Sequence, residues 1–375
     1  MNATVTAAAI GVGGSVIVAL AAFWANVRNT NKSTELTHRA LQLTEQGQVT
    51  DQYTKAVGQL GSDKAPVRLG ALYALERFAQ DNPAHRQTTV NVICAYLRMP
   101  FSPTAPASEP VPEPGEGAQQ PAAGADIPAL AGNGDTWQQE KQVRLTAQRV
   151  LSEHLRRTPP QTQPSADPAV DRFWPGIRLD LTGATLTDFS LSGAVLAEAM
   201  FDGATFTGDA TFDGATFTGD AWFGEATFTG GVWFDGATFT GDARFGETTF
   251  TGGVWFDGAT FTGDAWFNTA TFTSAAWFNR ATFTSGAWFN TATFTGDAWF
   301  NTATFTSAAV FGEATFTSGA RFGEATFTSG KEAASFDGSH VLAPDAHHVW
   351  PEGWCTGETG DGEHTVVRVS SSPGS

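Results

Sequence analysis

Between Phe206 and Phe327 phenylalanine recurs at alternating intervals of six and five residues, a spacing that neither a helix nor a flat strand can carry. A five-residue step rotates a helical side chain by roughly 140°, so the rings would scatter around the helix. Strand alternation fails as well, because five and six are not both even. Upstream the same rule runs with a strict step of five through Leu181, Leu186, Leu191, Leu196, Phe201 and Phe206. A small residue stands two positions before most of these, at Ala184, Ala194, Ala199 and Ala204. A coil that turns a corner after each short segment satisfies the pattern. The large residue and its small neighbour point inward, the others face solvent, and successive coils pair through their backbones. Each buried phenylalanine is worth about 1.5–3 kcal/mol, which makes the internal column the dominant stabilising term.

Two eleven-residue units make a coil of 22, and Leu181 to Phe327 makes about seven coils. The extra residue in alternate segments falls in the Thr-Gly-Asp, Thr-Gly-Gly and Thr-Ser-Ala triplets, where a wider corner or bulge is expected. Stacking at 22 places Trp233, Trp255, Trp277 and Trp299 in one outward column. Trp222, Trp266 and Trp288 fall in a second column on the opposite face, interrupted by Arg244. Rings in such a column support one another, and the apolar surface they expose suits a partner contact. Asp220, Asp242 and Asp264 line one corner, while Asn279 and Asn301 continue a line begun by Asp213, Asp235 and Asp257. Carboxylates stacked one coil apart are expected to repel unless solvent or a cation screens them.

The stretch "LTGATLTDFSLSGAVLAEAMFDGATF" and the "ATFTGDAWFN" series after it closely resemble the pentapeptide-repeat family. The resemblance implies a mainly β fold, a right-handed quadrilateral β-helix. "TEQGQVTDQYTKAVGQLGSDKAPVRLGALYALERFAQD" is similar to the helical region that precedes such repeats in membrane-anchored actinobacterial members. "FWPGIRLDLTGATL" and "HHVWPEGW" are similar to the lead-in and exit of the family's β-helix. Some members mimic DNA in shape and charge and bind DNA gyrase, which the acidic rod makes an alternative reading here.

The first 27 residues carry no charged side chain, and Ala3 to Trp24 is long enough to cross about 30 Å of hydrocarbon as a helix. The first cations, Arg28, Lys32 and Arg39, follow that stretch. Residues 1–28 therefore read as a single-pass membrane anchor with the N-terminus outside and the bulk of the chain cytoplasmic. A positive n-region, the mark of a cleaved signal peptide, is missing. Residues 33–99 read as an α-helical module. Its apolar residues recur near a 3.6 period at Leu36, Ala40 and Leu43, at Val49, Tyr53, Ala56 and Leu60, and at Leu69, Leu72, Leu75 and Ala79. A further helix from Gln87 to Leu97 turns Val90, Ile93, Cys94 and Leu97 inward, and three such helices could pack as a HEAT-type unit. Residues 100–135 form a Pro-rich linker, 136–157 a helix with Val143, Ala147, Val150, Leu151, His154 and Leu155 near one side, and 158–171 a loop. The β-helix spans 172–336. In the remainder, 337–375, Trp350 and Trp354 cover its open end and "TVVRVSSSPGS" forms a frayed tail.

The formal net charge of −17 argues against direct nucleic-acid binding. Cys94 and Cys355 have neither disulfide-framework nor CxxC spacing. Cys94 lies on an apolar stripe, as a buried inert thiol would. No phosphate loop, nucleophile elbow or zinc-protease motif occurs. His347, His348, Cys355 and His364 match no zinc spacing. The expectation is a non-enzymatic, membrane-anchored scaffold without cofactor, metal or small-molecule substrate. It would bind an unknown protein partner through the seven tryptophans and the Asp220, Asp242 and Asp264 corner.

Overall fold

The structure is a computed structural model that describes residues 47–102, 133–157, 172–328 and 334–369. It divides into two compact units, residues 1–59 and 60–375. The expected anchor at 1–28 lies outside the described residues, and among those described no helix is long and apolar enough to cross a membrane. Helix α1 (47–60) ends at Gly61, where the sequence places its stop.

Three further helices open the second unit. Helix α2 (Ala65–Asp81) begins with a proline in its first turn and stops at Asn82, because Pro83 disfavours a helical residue before it. A 3-10 turn (Pro83–His85) leads into α3 (Arg86–Leu97). Helix α4 (Asn133–Leu155) starts three residues earlier than its sequence pattern predicts. Leu72, Leu75, Val90, Ile93, Leu97, Val143, Ala147, Val150 and Leu151 are buried, so each periodic stripe faces inward. The grouping differs from a self-contained HEAT-type unit. Helix α4, beyond the linker, packs on both α2 and α3. Arg144 fixes that return: its Nη1 donates to the Leu97 carbonyl (2.9 Å), its Nη2 to that of Met99 (2.7 Å) and its Nε to Glu140 (2.9 Å). These charge-assisted bonds close the open carbonyl end of α3.

The solenoid begins with β1 (Arg178–Asp180), β2 (Thr185–Ser190), β3 (Val195–Leu196), β4 (Glu198–Met200) and β5 (Thr205–Thr211), and continues as two-residue strands. All coil-to-coil pairs are parallel and fall in four columns, so each coil has four faces. The first face runs from β1 and β4 through Ala221–Trp222 to Ala334–Ser335. The second runs from the start of β2 and β5 through Thr227–Phe228 to His340–Val341. The third runs from the end of β5 through Val232–Trp233 to Ala320–Arg321, and the fourth from β3 through Thr216–Phe217 to Thr326–Phe327. Pairs such as Thr238 with Thr260 and Trp255 with Trp277 set the 22-residue register read from the sequence. The first coil is shorter, with Thr185 opposite Thr205. The extra residue enters on β5, in the Thr207-Gly208-Asp209 triplet where the sequence places a wider corner or bulge: Thr187 pairs with Thr207 but Phe189 with Ala210.

Every phenylalanine of the periodic series up to Phe322 is buried, as are the alanines two positions before. Phe239 stacks on Phe261 at 4.8 Å with 1° between the rings, and Phe234 on Phe256 at 4.7 Å and 0°. Neighbouring strands in ordinary sheets rotate by roughly 20–25°, so these faces are flat. Short corners read Phe-x-y-Ala, with Thr248 in place of the alanine after Glu247, and y lies in the left-handed region. Glycine holds y at Gly214 (φ 59°) and Gly258 (φ 66°), and Glu225, Glu247 and Thr269 hold it at φ 58–60°.

Both ends of the solenoid are closed. At the start, two glutamine amides take the place of a missing strand. Gln148 donates Nε2–H to the Thr187 carbonyl (2.8 Å) and accepts the Thr187 amide (3.0 Å). Gln87 does the same for Arg178 at 2.7 and 2.9 Å, and Arg156 bridges Ala194. At the far end Trp350 packs against Phe316, Phe322 and Phe336, and Trp354 against Phe336. The expected frayed tail is corrected in part: His364–Arg368 is a strand, antiparallel to Trp354–Glu358 and to His340.

Candidate interaction surface of the solenoid

Coil register decides which side chains the faces present. The second and fourth faces carry threonine on either side of each buried phenylalanine. The two-residue strands of the first and third faces carry one outward residue each, and there the tryptophans stand. On the third face Trp233, Trp255, Trp277 and Trp299 follow Thr211 and precede Arg321. On the first face the order is Met200, Trp222, Arg244, Trp266, Trp288, Val310. Both columns predicted from the sequence are therefore assembled, on opposite faces.

Their exposure is smaller than expected. All seven rings are half-buried, for two physical reasons. First, they stack: Trp233 on Trp255 at 4.8 Å, Trp255 on Trp277 at 4.6 Å, and Trp266 on Trp288 at 5.4 Å. Second, they fold back over the preceding corner. A Cβ at Gly231 would lie 2.4 Å from Cη2 of Trp233, and one at Gly253 would lie 2.8 Å from Cη2 of Trp255. The ring occupies the space a side chain there would need. The Nε1 atoms of Trp222 and Trp288 are buried without an acceptor among the described residues.

Arginine interrupts or ends each column in one geometry. The Arg321 guanidinium lies 3.8 Å over Trp299 and 3.4 Å from Asp297. That of Arg244 lies 5.4 Å from the Trp222 centroid and 3.3 Å from Asp242. Each cation takes an aromatic face and a corner carboxylate together, and cation–π contacts of this kind are worth roughly 0.5–2 kcal/mol.

Asp257 and Asp213 do act against the Asp235 charge, as the stacking implies, but the corner side chains also accept main-chain hydrogen bonds that the sequence does not show. Asp220 Oδ1 accepts the amide of Asp242 (3.0 Å), Asp242 that of Asp264 (3.2 Å), and Asp264 that of Gly286 (2.9 Å). Between the third and fourth faces, Asp235 accepts from Asp257, Asp257 from Asn279 and Asn279 from Asn301. Each short polar side chain satisfies a main-chain donor one coil on. Amide donors favour an ionised acceptor, although burial pushes the carboxyls of Asp202, Asp213 and Asp235 above their ordinary range.

Cys94 and His348 sit in structural settings. Burial pushes the Cys94 thiol up to about 12. His348 accepts the Ala320 amide at Nδ1 (3.2 Å), has its Nε2 2.8 Å from the Ala343 carbonyl, and stacks beside Trp350. Among the described residues no three His, Cys, Asp or Glu side chains are grouped to hold a metal.

Two family models match the repeat. Both are described as pentapeptide repeats, one of eight copies over residues 180–219 and one of nine copies in overlapping windows from 201 to 304. No curated protein and no solved structure matches the chain.

Proposed function

The chain belongs, through residues 180–304, to the pentapeptide-repeat family, and from that premise we propose a membrane-anchored, non-enzymatic scaffold that binds a protein partner through its two tryptophan-bearing faces. One observation carries this reading. Two ladders of half-exposed indoles stand on flat, opposite faces of a rigid rod, each bordered by charged corner groups. Tryptophan and arginine dominate hot spots because they combine large contact area with a polar edge. A preformed ladder also loses little conformational freedom on binding. The uncharged stretch Ala3–Trp24 with its following cations supports an N-terminal helix in the membrane and a cytoplasmic rod.

Replacing Trp255 and Trp277 by Thr tests the surface, since Thr211 already holds an equivalent position. The double variant is expected to lose the partner in affinity capture from its own membranes while its solenoid stays folded. Unchanged capture would reject the surface. Protease treatment of intact against lysed cells tests the topology, with protection until lysis expected.

A second reading, a DNA-mimicking gyrase ligand, draws on charge placement. Between residues 178 and 264 the only cations are Arg178 and Arg244, while aspartates line the corners. That reading requires the rod to inhibit gyrase, and to stop doing so when Asp220, Asp242 and Asp264 become Asn.

A further inference from the structure

A cleft of about 830 Å³ opens where α2, α4 and the lead-in to the first coil meet, lined by Glu76, Gln80, His154 and Arg172 among others. His154 forms its floor. The ring is buried, 2 % exposed, and lies flat on Trp174 at 4.0 Å with 9° between the planes. Its Nδ1 is 2.6 Å from the Arg172 carbonyl oxygen and its Nε2 is 2.9 Å from Glu76 Oε1. A carbonyl oxygen only accepts, and an ionised carboxylate only accepts. The Glu76 carboxyl is held below its ordinary range. The hydrogen bond from His154 is the chief cause, working against burial, and Arg149 and Arg172 add to it. For both contacts to be hydrogen bonds at once, both ring nitrogens must carry hydrogen.

We propose that His154 and Glu76 form a pH-sensitive clasp that helps hold α2, α4 and the lead-in segment together while the imidazole is doubly protonated, and that loosens when it loses one proton. A neutral ring keeps a single N–H. The other nitrogen then turns a lone pair toward an oxygen lone pair, and one of the two contacts must open. Loss at Nε2 removes the tie from α4 to Glu76 of α2, and loss at Nδ1 removes the tie to the Arg172 carbonyl in the segment leading to Trp174, whose Nε1 is itself held by Gln80 of α2 (3.0 Å).

The charged surroundings come from every packed element. Helix α2 supplies Glu76, Arg77 and Asp81 together with Tyr73, α3 supplies Arg86, and the lead-in supplies Arg172. Helix α4 supplies Arg149 and Glu153, which pair at 2.7 Å, and Arg172 lies 4.0 Å from the same Glu153. Glu153 thus shares its charge with both nearby arginines, leaving Glu76 as the carboxylate directly on the imidazole. The cleft gives water and protons a path to a side chain that is otherwise enclosed. Two N–H groups satisfy both acceptor oxygens, and a ring with one N–H satisfies one of them.

The test uses the full chain with ¹⁵N-labelled histidine, the His154 signals being those absent from His154→Gln. At pH 6 both His154 ring nitrogens are expected to show the protonated shift. Amide protection of residues 150–155 and 172–180, corrected for intrinsic exchange, is expected to fall at least tenfold between pH 6 and 8.5. Glu76→Gln keeps the fold and removes the switch, because a side-chain amide can accept from Nε2–H or donate to the bare nitrogen, so its protection is expected to be level over the same range. A neutral His154 ring at pH 6, or an equal fall in protection in Glu76→Gln, would overturn the proposal.

Discussion

Replacing Gln148 by Met removes the side chain that stands in for a strand at the head of the solenoid. Gln148 is almost wholly buried, and its amide satisfies both the amide and the carbonyl of Thr187. Met fills a similar volume, so little cavity forms. What remains is two enclosed main-chain groups without partners, at about 1–3 kcal/mol each. A loss of about 2–6 kcal/mol follows, equivalent to roughly thirtyfold to twenty-thousandfold in an opening equilibrium. In a solenoid each coil contacts only its neighbours, so the loss should stay local. Hydrogen exchange is therefore expected to accelerate by that factor across 178–190 and to decay over the next two coils, leaving 260–305 unchanged. Uniform acceleration along the rod would refute the nearest-neighbour argument, and no acceleration would refute the capping role.

Phe261→Ala should cost about 3–5 kcal/mol by chemical denaturation, because the ring is buried between Phe239 and Phe283 at 4.8 Å on either side. Glu247→Gly should raise stability by about 0.5–1 kcal/mol. Glu247 is exposed and held at φ 60°, a conformation that costs an L-residue roughly 1–2 kcal/mol and glycine none, less the extra chain entropy glycine brings. Asp235→Asn should raise the melting temperature at pH 7 and give no gain near pH 3. Burial, aided by Asp257 and Asp213, raises the Asp235 carboxyl above its unfolded value, so the folded state favours the protonated form and loses that preference as pH rises through the folded pKa. A melting series from pH 3 to 7 checks the sign. Asn279 and Asn301, which already occupy that column, show that the amide fits.

Periodicity made the inward residues, the 22-residue register and the two tryptophan columns legible, because burial acts on every coil alike and writes the same residue at the same interval. The helix ends at Gly61 and Asn82 were legible for a similar reason, since glycine and Asn-Pro act locally. Other features depend on geometry that spacing does not encode. The fold-back of Trp233 over Gly231 depends on corner shape, and it turned an expected exposed surface into a half-buried one. The bonds from Asp220 to Asp242 and from Asp257 to Asn279 join a side chain to a main-chain group one coil away, so the sequence shows the repulsion of stacked acids but not these offsetting bonds. Gln87, Gln148 and His154 act through contacts 39 to 91 residues distant in sequence or across the linker, and no local pattern marks them. A glutamine on a helical stripe that otherwise reads Val, Ala and Leu was the one available signal for Gln148.

The central claim is that the tryptophan faces, and not the threonine faces, meet a protein. The most direct measurement places a photo-crosslinking phenylalanine analogue at position 277 on the third face, and separately at 282 on the adjoining fourth face, in the full chain expressed in its own cells. A discrete protein adduct from 277 and none from 282 is the expected result. The same adducts from both positions, or an adduct from 282 alone, would contradict the claim.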